Sequence, residues 1–139
     1  MKTCLVGCGG IAAVHGSVLT SGIDTEFVAA ADIKLEKAQS YAENFHTKPY
    51  PSLESMLEAE KPDVLHICTP HYLHVPMAIY SLERNINVFM EKPPAISFDQ
   101  LEELKKAAAK SDAQLGFCYQ NRYNASIRAA KDLIDSGKS

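Results

Sequence analysis

The chain has 139 residues, of which 46% are hydrophobic and 22% charged, with a formal net charge of -3. That length suits one globular core, and the scattered Lys and Arg residues exclude a basic face for nucleic acid. No apolar run approaches the ~20 residues of a membrane span.

Thr3 to Val6 is a short apolar run that stops at glycines. Because Leu5-Val6-Gly7-Cys8 follows Lys2 so closely, it imitates a lipoprotein cleavage box without the roughly 7–15 apolar residues that export requires. Ile11 to Leu19 follows, with Ile11, Val14, Val18 and Leu19 at helical spacing and Gly22 as a stop. Phe27 to Ala31 reads as a second strand ending at Asp32, and Leu35 to Phe45 as a helix with Leu35, Ala38, Ala42 and Phe45 on one stripe. A weak strand near Lys48-Tyr50 leads to a helix after Ser52.

Val64 to Cys68 is a nearly continuous apolar strand of the kind buried on both faces. Tyr72 to Arg84 reads as a helix and Asn87 to Met90 as a strand. Ser97 and Gln100 form a capping box for a helix that runs to Lys110, with Leu101, Leu104 and Ala108 inward. Gln114 to Tyr119 is the last strand, and Ala125 to Asp135 the last helix, closed by Gly137. Strand and helix alternate at spacings too long for hairpins, so the expected fold is α/β, a doubly wound parallel sheet covered by helices.

The four cysteines, Cys4, Cys8, Cys68 and Cys118, form no C-x-x-C pair and no short Cys/His knot, so no metal site is expected. Dispersed thiols of this kind fit a reducing, cytoplasmic setting.

Ligands of a doubly wound sheet bind outside the carboxyl ends of the strands. At that edge the chain delivers Gly7-Cys8-Gly9-Gly10-Ile11-Ala12, then Asp32, then Thr69-Pro70-His71-Tyr72-Leu73-His74, then Glu91-Lys92-Pro93-Pro94 and Gln120-Asn121-Arg122. Gly7, Gly9 and Ala12 match G-x-G-x-x-G/A: a tight turn, open backbone under a pyrophosphate, and close helix packing. Asp32, twenty residues beyond Ala12, suits the two adenosine ribose hydroxyls and would repel a 2′-phosphate, which favours NAD over NADP; Lys34 tempers this. His15 and His66 read as structural, while His74 is expected to offer a donor to the cofactor. Glu91 and Lys92, as neighbours on a strand, should face different partners.

These residues resemble the N-terminal domain of the Gfo/Idh/MocA oxidoreductases. The likeness runs through Gly7-Cys8-Gly9-Gly10-Ile11-Ala12, Cys68-Thr69-Pro70 with His74, Glu91-Lys92-Pro93, and Gln120-Asn121-Arg122. It implies a Rossmann-type NAD-binding domain over residues 1–122, with 123–139 starting a connecting helix toward a C-terminal α/β substrate domain absent from this chain. It implies that Gly7, Gly9, Gly10, Ile11, Ala12, Asp32, Thr69, Pro70, His74, Glu91, Lys92, Gln120 and Arg122 bind the cofactor. Lys92 would also be catalytic, beside the hydride-transfer site. His71 stands where the family often has asparagine. The implied activity is NAD(P)-dependent oxidation of secondary alcohols on sugars or cyclitols, by a possible homo-oligomer, with this chain alone expected to turn over poorly. A dinucleotide-sensing module without chemistry, or an S-adenosylmethionine or flavin site, would share the glycine turn. Neither would need Lys92.

Overall fold

The computed structural model describes residues 1–22 and 24–137. Its strands are β1 (Lys2–Val6), β2 (Glu26–Ala31), β3 (Lys48–Tyr50), β4 (Val64–Ile67), β5 (Asn87–Met90) and β6 (Leu115–Phe117). They alternate with α1 (Gly10–Ser21), α2 (Leu35–Phe45), α3 (Leu53–Glu60), α4 (His74–Leu82), α5 (Phe98–Lys110) and α6 (Ala125–Asp135). The sheet order is β3-β2-β1-β4-β5-β6, and every pairing is parallel. The chain therefore winds outward from β1 to β3, returns to lay β4 against β1, and winds outward again. That reversal opens a crevice at the carboxyl ends of β1 and β4.

Alternation along the strands sorts side chains between two helical layers. Cys4, Val6, Ala29, Ala31, Leu65, Ile67, Val88 and Met90 pack with Leu53, Met56 and Leu57 of α3, Val75, Ala78 and Leu82 of α4, and Leu104 of α5. Leu5 and Ala30 face the other way, against Ala12 of α1 and Tyr41 of α2. In register with Leu5 stand His66 and Phe89, so a histidine lies on the α1 face of the central strands.

The buried side of α1 is Ala12, His15, Gly16 and Leu19, while Ile11, Val14 and Val18 are exposed. The apolar spacing of the sequence thus marks the outer side of this helix. Small residues win the inner side because α2 lies close: a Cβ on Gly16 would meet the Tyr41 hydroxyl at 2.5 Å. That hydroxyl donates to the Ala12 carbonyl at 2.7 Å.

Three boundaries differ from expectation. The segment after Pro70 begins as a 3-10 turn, His71–Leu73, before α4. β6 is shorter than the apolar run that suggests it. Ser97 caps α5 as expected, but the Gln100 side chain accepts from the Ile96 N–H rather than from Ser97. The last helix, α6, is present, and Lys138 and Ser139 of the expected connecting segment lie outside the described residues. No described helix is long and apolar enough to cross a membrane.

Away from the crevice, buried Glu60 gathers Lys2, Lys48 and Tyr50; the Tyr50 hydroxyl donates at 2.6 Å and the Lys48 ammonium at 2.9 Å. Hydrogen bonds from Tyr50, Lys48 and Lys2 outweigh desolvation and hold the carboxyl down at about 2. A depressed folded-state value stabilises above the unfolded carboxyl range and is lost as pH falls through that range toward 2. Glu60→Gln is expected to lose about 1–2 kcal/mol at pH 7, discounted because the lysines reach solvent, and to converge with the parent chain near pH 2. Urea unfolding at both pH values checks this.

Candidate functional site

β1 ends in a turn that only glycine can make. Gly7 has φ +92°, and a Cβ there would lie 2.7 Å from the Cys68 carbonyl carbon and the Thr69 nitrogen. The end of β4 therefore presses directly on Gly7. Two residues later the situation reverses, because a Cβ on Gly9 would meet nothing within 4 Å. Gly9 leaves open space in front of the N-terminus of α1, whose first N–H groups have no partners within the helix. Ala12, fully buried, brings that terminus close to the sheet.

Asp32, just past β2, closes the turn from the other side. Its Oδ2 accepts from the Cys8 N–H and its Oδ1 from the Lys34 N–H, both at 2.9 Å. Each oxygen keeps a lone pair for an incoming hydroxyl. Gly7, Gly9, Asp32, Thr69 and Pro70 line one cleft of about 370 Å³, with Ile33, Tyr72 and Leu73 among its apolar walls. The Thr69 hydroxyl is buried and has no hydrogen-bond partner among the described residues. A buried orphan of this kind costs about 1–3 kcal/mol unless something supplies a partner. Open backbone over Gly9, a carboxylate with spare acceptors and an orphaned hydroxyl together fit a nicotinamide dinucleotide.

Lys92 stands at the end of β5, its side chain half exposed. It lines a second hollow, also about 370 Å³, together with Tyr119, Gln120, Asn121, Arg122 and Ile127. Glu91 beside it is buried. Its Oε1 accepts from the His15 Nε2–H at 3.0 Å, and its Oε2 accepts from the Lys92 backbone N–H at 3.2 Å. Burial raises the carboxyl's pKa, but hydrogen bonds from His15, Cys118 and the Lys92 amide prevail and lower it.

Residues 1–119 match the Gfo/Idh/MocA family, described as an oxidoreductase family with an NAD-binding Rossmann fold. The chain belongs to the Gfo/Idh/MocA oxidoreductases. It is 30% identical to D-glucoside 3-dehydrogenase of Escherichia coli (strain K12), covering 99% of this chain and 40% of that one. Among solved structures, the WlbA dehydrogenase of Chromobacterium violaceum, in complex with NADH and UDP-GlcNAcA, superposes with a TM-score of 0.92 at 31% identity. That match covers 98% of this chain and 40% of the other. The myo-inositol dehydrogenase of Lactobacillus casei, in complex with NAD(H) and myo-inositol, gives 0.89 at 26% identity, over 99% and 42%. The chain thus spans about 40% of the length of the relatives it matches.

One expectation from the resemblance and one from strand alternation differ in the structure. His74 does not line the cleft: it is fully buried, with Nδ1 2.8 Å from the Pro93 carbonyl and Nε2 3.0 Å from the Thr69 carbonyl. Both nitrogens face backbone carbonyls, and the single N–H of a neutral imidazole is spent on one of them, which leaves no donor for a cofactor. Glu91 and Lys92 do face each other, at 3.8 Å between Oε2 and Nζ. Strand alternation lapses here because β5 ends at Met90. Gly10 and Ile11 sit exposed in the first turn of α1, and Gln120 and Arg122 are exposed beside Lys92.

Sequence reasoning misses the neighbourhood of Glu91. His15, Glu91 and Cys118 each bring a donor atom to within 4.8 Å of the others. Cys118, a strand thiol by its apolar context, lies instead just past β6, partly exposed, its pKa raised by burial and by Glu91. The available signal is the shared parity of His66, Phe89 and Glu91 along parallel strands.

Proposed function

We propose that this chain is the cofactor-binding half of an NAD-dependent dehydrogenase acting on secondary alcohols of sugars or cyclitols. The observation that carries the reading is the cleft at the sheet's switch point, where the Gly9 backbone, Asp32 and the unpartnered Thr69 hydroxyl converge. The pyrophosphate lies over Gly9, against the N–H groups and positive end of α1. Asp32 accepts from the adenosine ribose hydroxyls, and Ile33 and Tyr72 supply apolar surface for the adenine. Thr69 and Pro70 line the middle of the cofactor, and Gln120 and Arg122 its nicotinamide end. When bound, the dinucleotide supplies the hydride acceptor. Lys92 then orients the alcohol oxygen and stabilises negative charge that develops on it. The WlbA and myo-inositol dehydrogenases, crystallised with NADH or NAD(H), support this reading, as does the lysine, for which a cofactor sensor has no use. The four cysteines are free, in keeping with a cytoplasmic setting.

Calorimetric titration with NAD+ and NADP+ tests it. NAD+ is expected to bind more tightly than NADP+. Asp32→Ala is expected to weaken NAD+ by about tenfold or more, the value of one to two hydrogen bonds, and to narrow the gap to NADP+. Lys92→Ala should change NAD+ affinity by less than about threefold, since its charge serves the alcohol. An Asp32→Ala variant that binds NAD+ like the parent chain, or a parent chain that binds neither dinucleotide, would overturn the proposal.

A further inference from the structure

His15 is buried in the middle of α1, yet its ring spans two polar partners. Nε2 lies 3.0 Å from Glu91 Oε1, and Nδ1 lies 2.9 Å from His66 Nδ1. The two imidazoles meet edge-on, 5.3 Å between centroids, and Phe89 packs on both at 6.0 and 5.1 Å. Glu91 accepts, so His15 must carry its proton on Nε2. Burial, and His15 beside it, push His66 down to about 4, so His66 is neutral at pH 7. With the His15 proton on Nε2, its Nδ1 accepts from the His66 Nδ1–H, and His15 Nε2–H points at Glu91.

Glu91 in turn is committed on both oxygens. Oε1 is held by His15; Oε2 receives the Lys92 backbone N–H and lies 3.8 Å from Lys92 Nζ. A buried carboxylate without such donors would be costly. The line His66, His15, Glu91, Lys92 therefore runs from the middle of β4, through α1, to the end of β5.

We propose that His15, braced by His66, is a positioning residue: it fixes the Glu91 carboxylate, which sets the backbone and the ammonium of Lys92 at the mouth of the site. The proposal rests on the reading of Lys92 as the group beside hydride transfer. It departs from the assignment of Glu91 to the cofactor ribose, because Glu91 is buried and lines neither the Gly9 cleft nor the Lys92 hollow. A mid-helix histidine and a mid-strand histidine, each ordinary by itself, become parts of one support.

Amide hydrogen exchange of the chain without cofactor tests this. His15→Leu keeps apolar volume and removes the donor, whereas His15→Gln keeps an N–H for Glu91. In His15→Leu the Lys92 amide is expected to exchange about tenfold faster, the loss of roughly one charge-assisted hydrogen bond, while Leu5 and Ile67 keep their protection. His15→Gln is expected to restore Lys92 protection. His66→Phe, which removes only the brace, is expected to give a smaller loss of about threefold, and it serves as the test should His15→Leu not fold. A residue that merely fills the core would behave in the opposite order, with leucine tolerated and glutamine harmful. Unchanged Lys92 exchange in His15→Leu or His66→Phe, or a loss shared equally by Leu5 and Ile67, would overturn the proposal. No dinucleotide enters this experiment, so failure to bind NAD+ would count against the proposed function and leave this result standing.

Discussion

Gly9→Ala is expected to weaken NAD+ binding by more than about tenfold while leaving the urea unfolding midpoint unchanged or slightly raised, whereas Gly7→Ala is expected to destabilise the fold itself. The two glycines stand two residues apart in one turn, and their surroundings differ in kind. Gly9 has φ -87°, which any residue adopts, and a methyl group there would touch no protein atom within 4 Å. The protein itself gives no reason for glycine at this position. A ligand lying on the backbone does. Gly7 combines φ +92° with backbone atoms of Cys68 and Thr69 only 2.7 Å from where a Cβ would sit, and backbone cannot swing aside as a side chain can. Strain of about 1–3 kcal/mol for the left-handed conformation adds to the separation of β1 from β4, so the expected loss is on the order of 3 kcal/mol or more. Urea denaturation and calorimetry on both variants separate the two roles. A Gly9→Ala chain that binds NAD+ normally would mean that the pyrophosphate does not cross Gly9.

The same contrast explains what is legible in the sequence. Strand and helix order follows from periods of two and 3.6 and from turn residues, which act locally, so the parallel sheet and its glycine turn are legible. Asp32 is legible for the same reason, since a strand end fixes its place. The inner face of α1 is not. Its spacing of Ile11, Val14 and Val18 suggests an apolar stripe, but the distance between α1 and α2 is a tertiary fact, and it selects Ala12 and Gly16. Nor is the partnership of His15, His66 and Glu91, because these residues come from three elements that meet only when β4 and β5 are laid beside β1. Lys92 defies the expected alternation because alternation holds only within a strand and β5 ends at Met90, whereas Glu91 still shares the α1 face with Phe89.

His74→Leu is expected to lower stability by about 2–4 kcal/mol, with the loss of NAD+ affinity secondary to it. Leucine fills much of the volume of the ring, so the chief change is that the carbonyls of Thr69 and Pro93 lose their ring partner in a fully buried place. Those carbonyls belong to the loops after β4 and β5. One carries the Thr69 hydroxyl of the cleft and the other follows Lys92, so the ring holds the two ends of the site together. A histidine that served the cofactor directly would give the reverse pattern, with an unchanged unfolding midpoint and a sharp loss of binding. Measuring the urea midpoint and the NAD+ dissociation constant on one preparation distinguishes the two. An unchanged midpoint with lost binding would return His74 to the cofactor. A lowered midpoint, with binding lost only as far as the loops loosen, assigns it to the frame that keeps Thr69 and Lys92 in register.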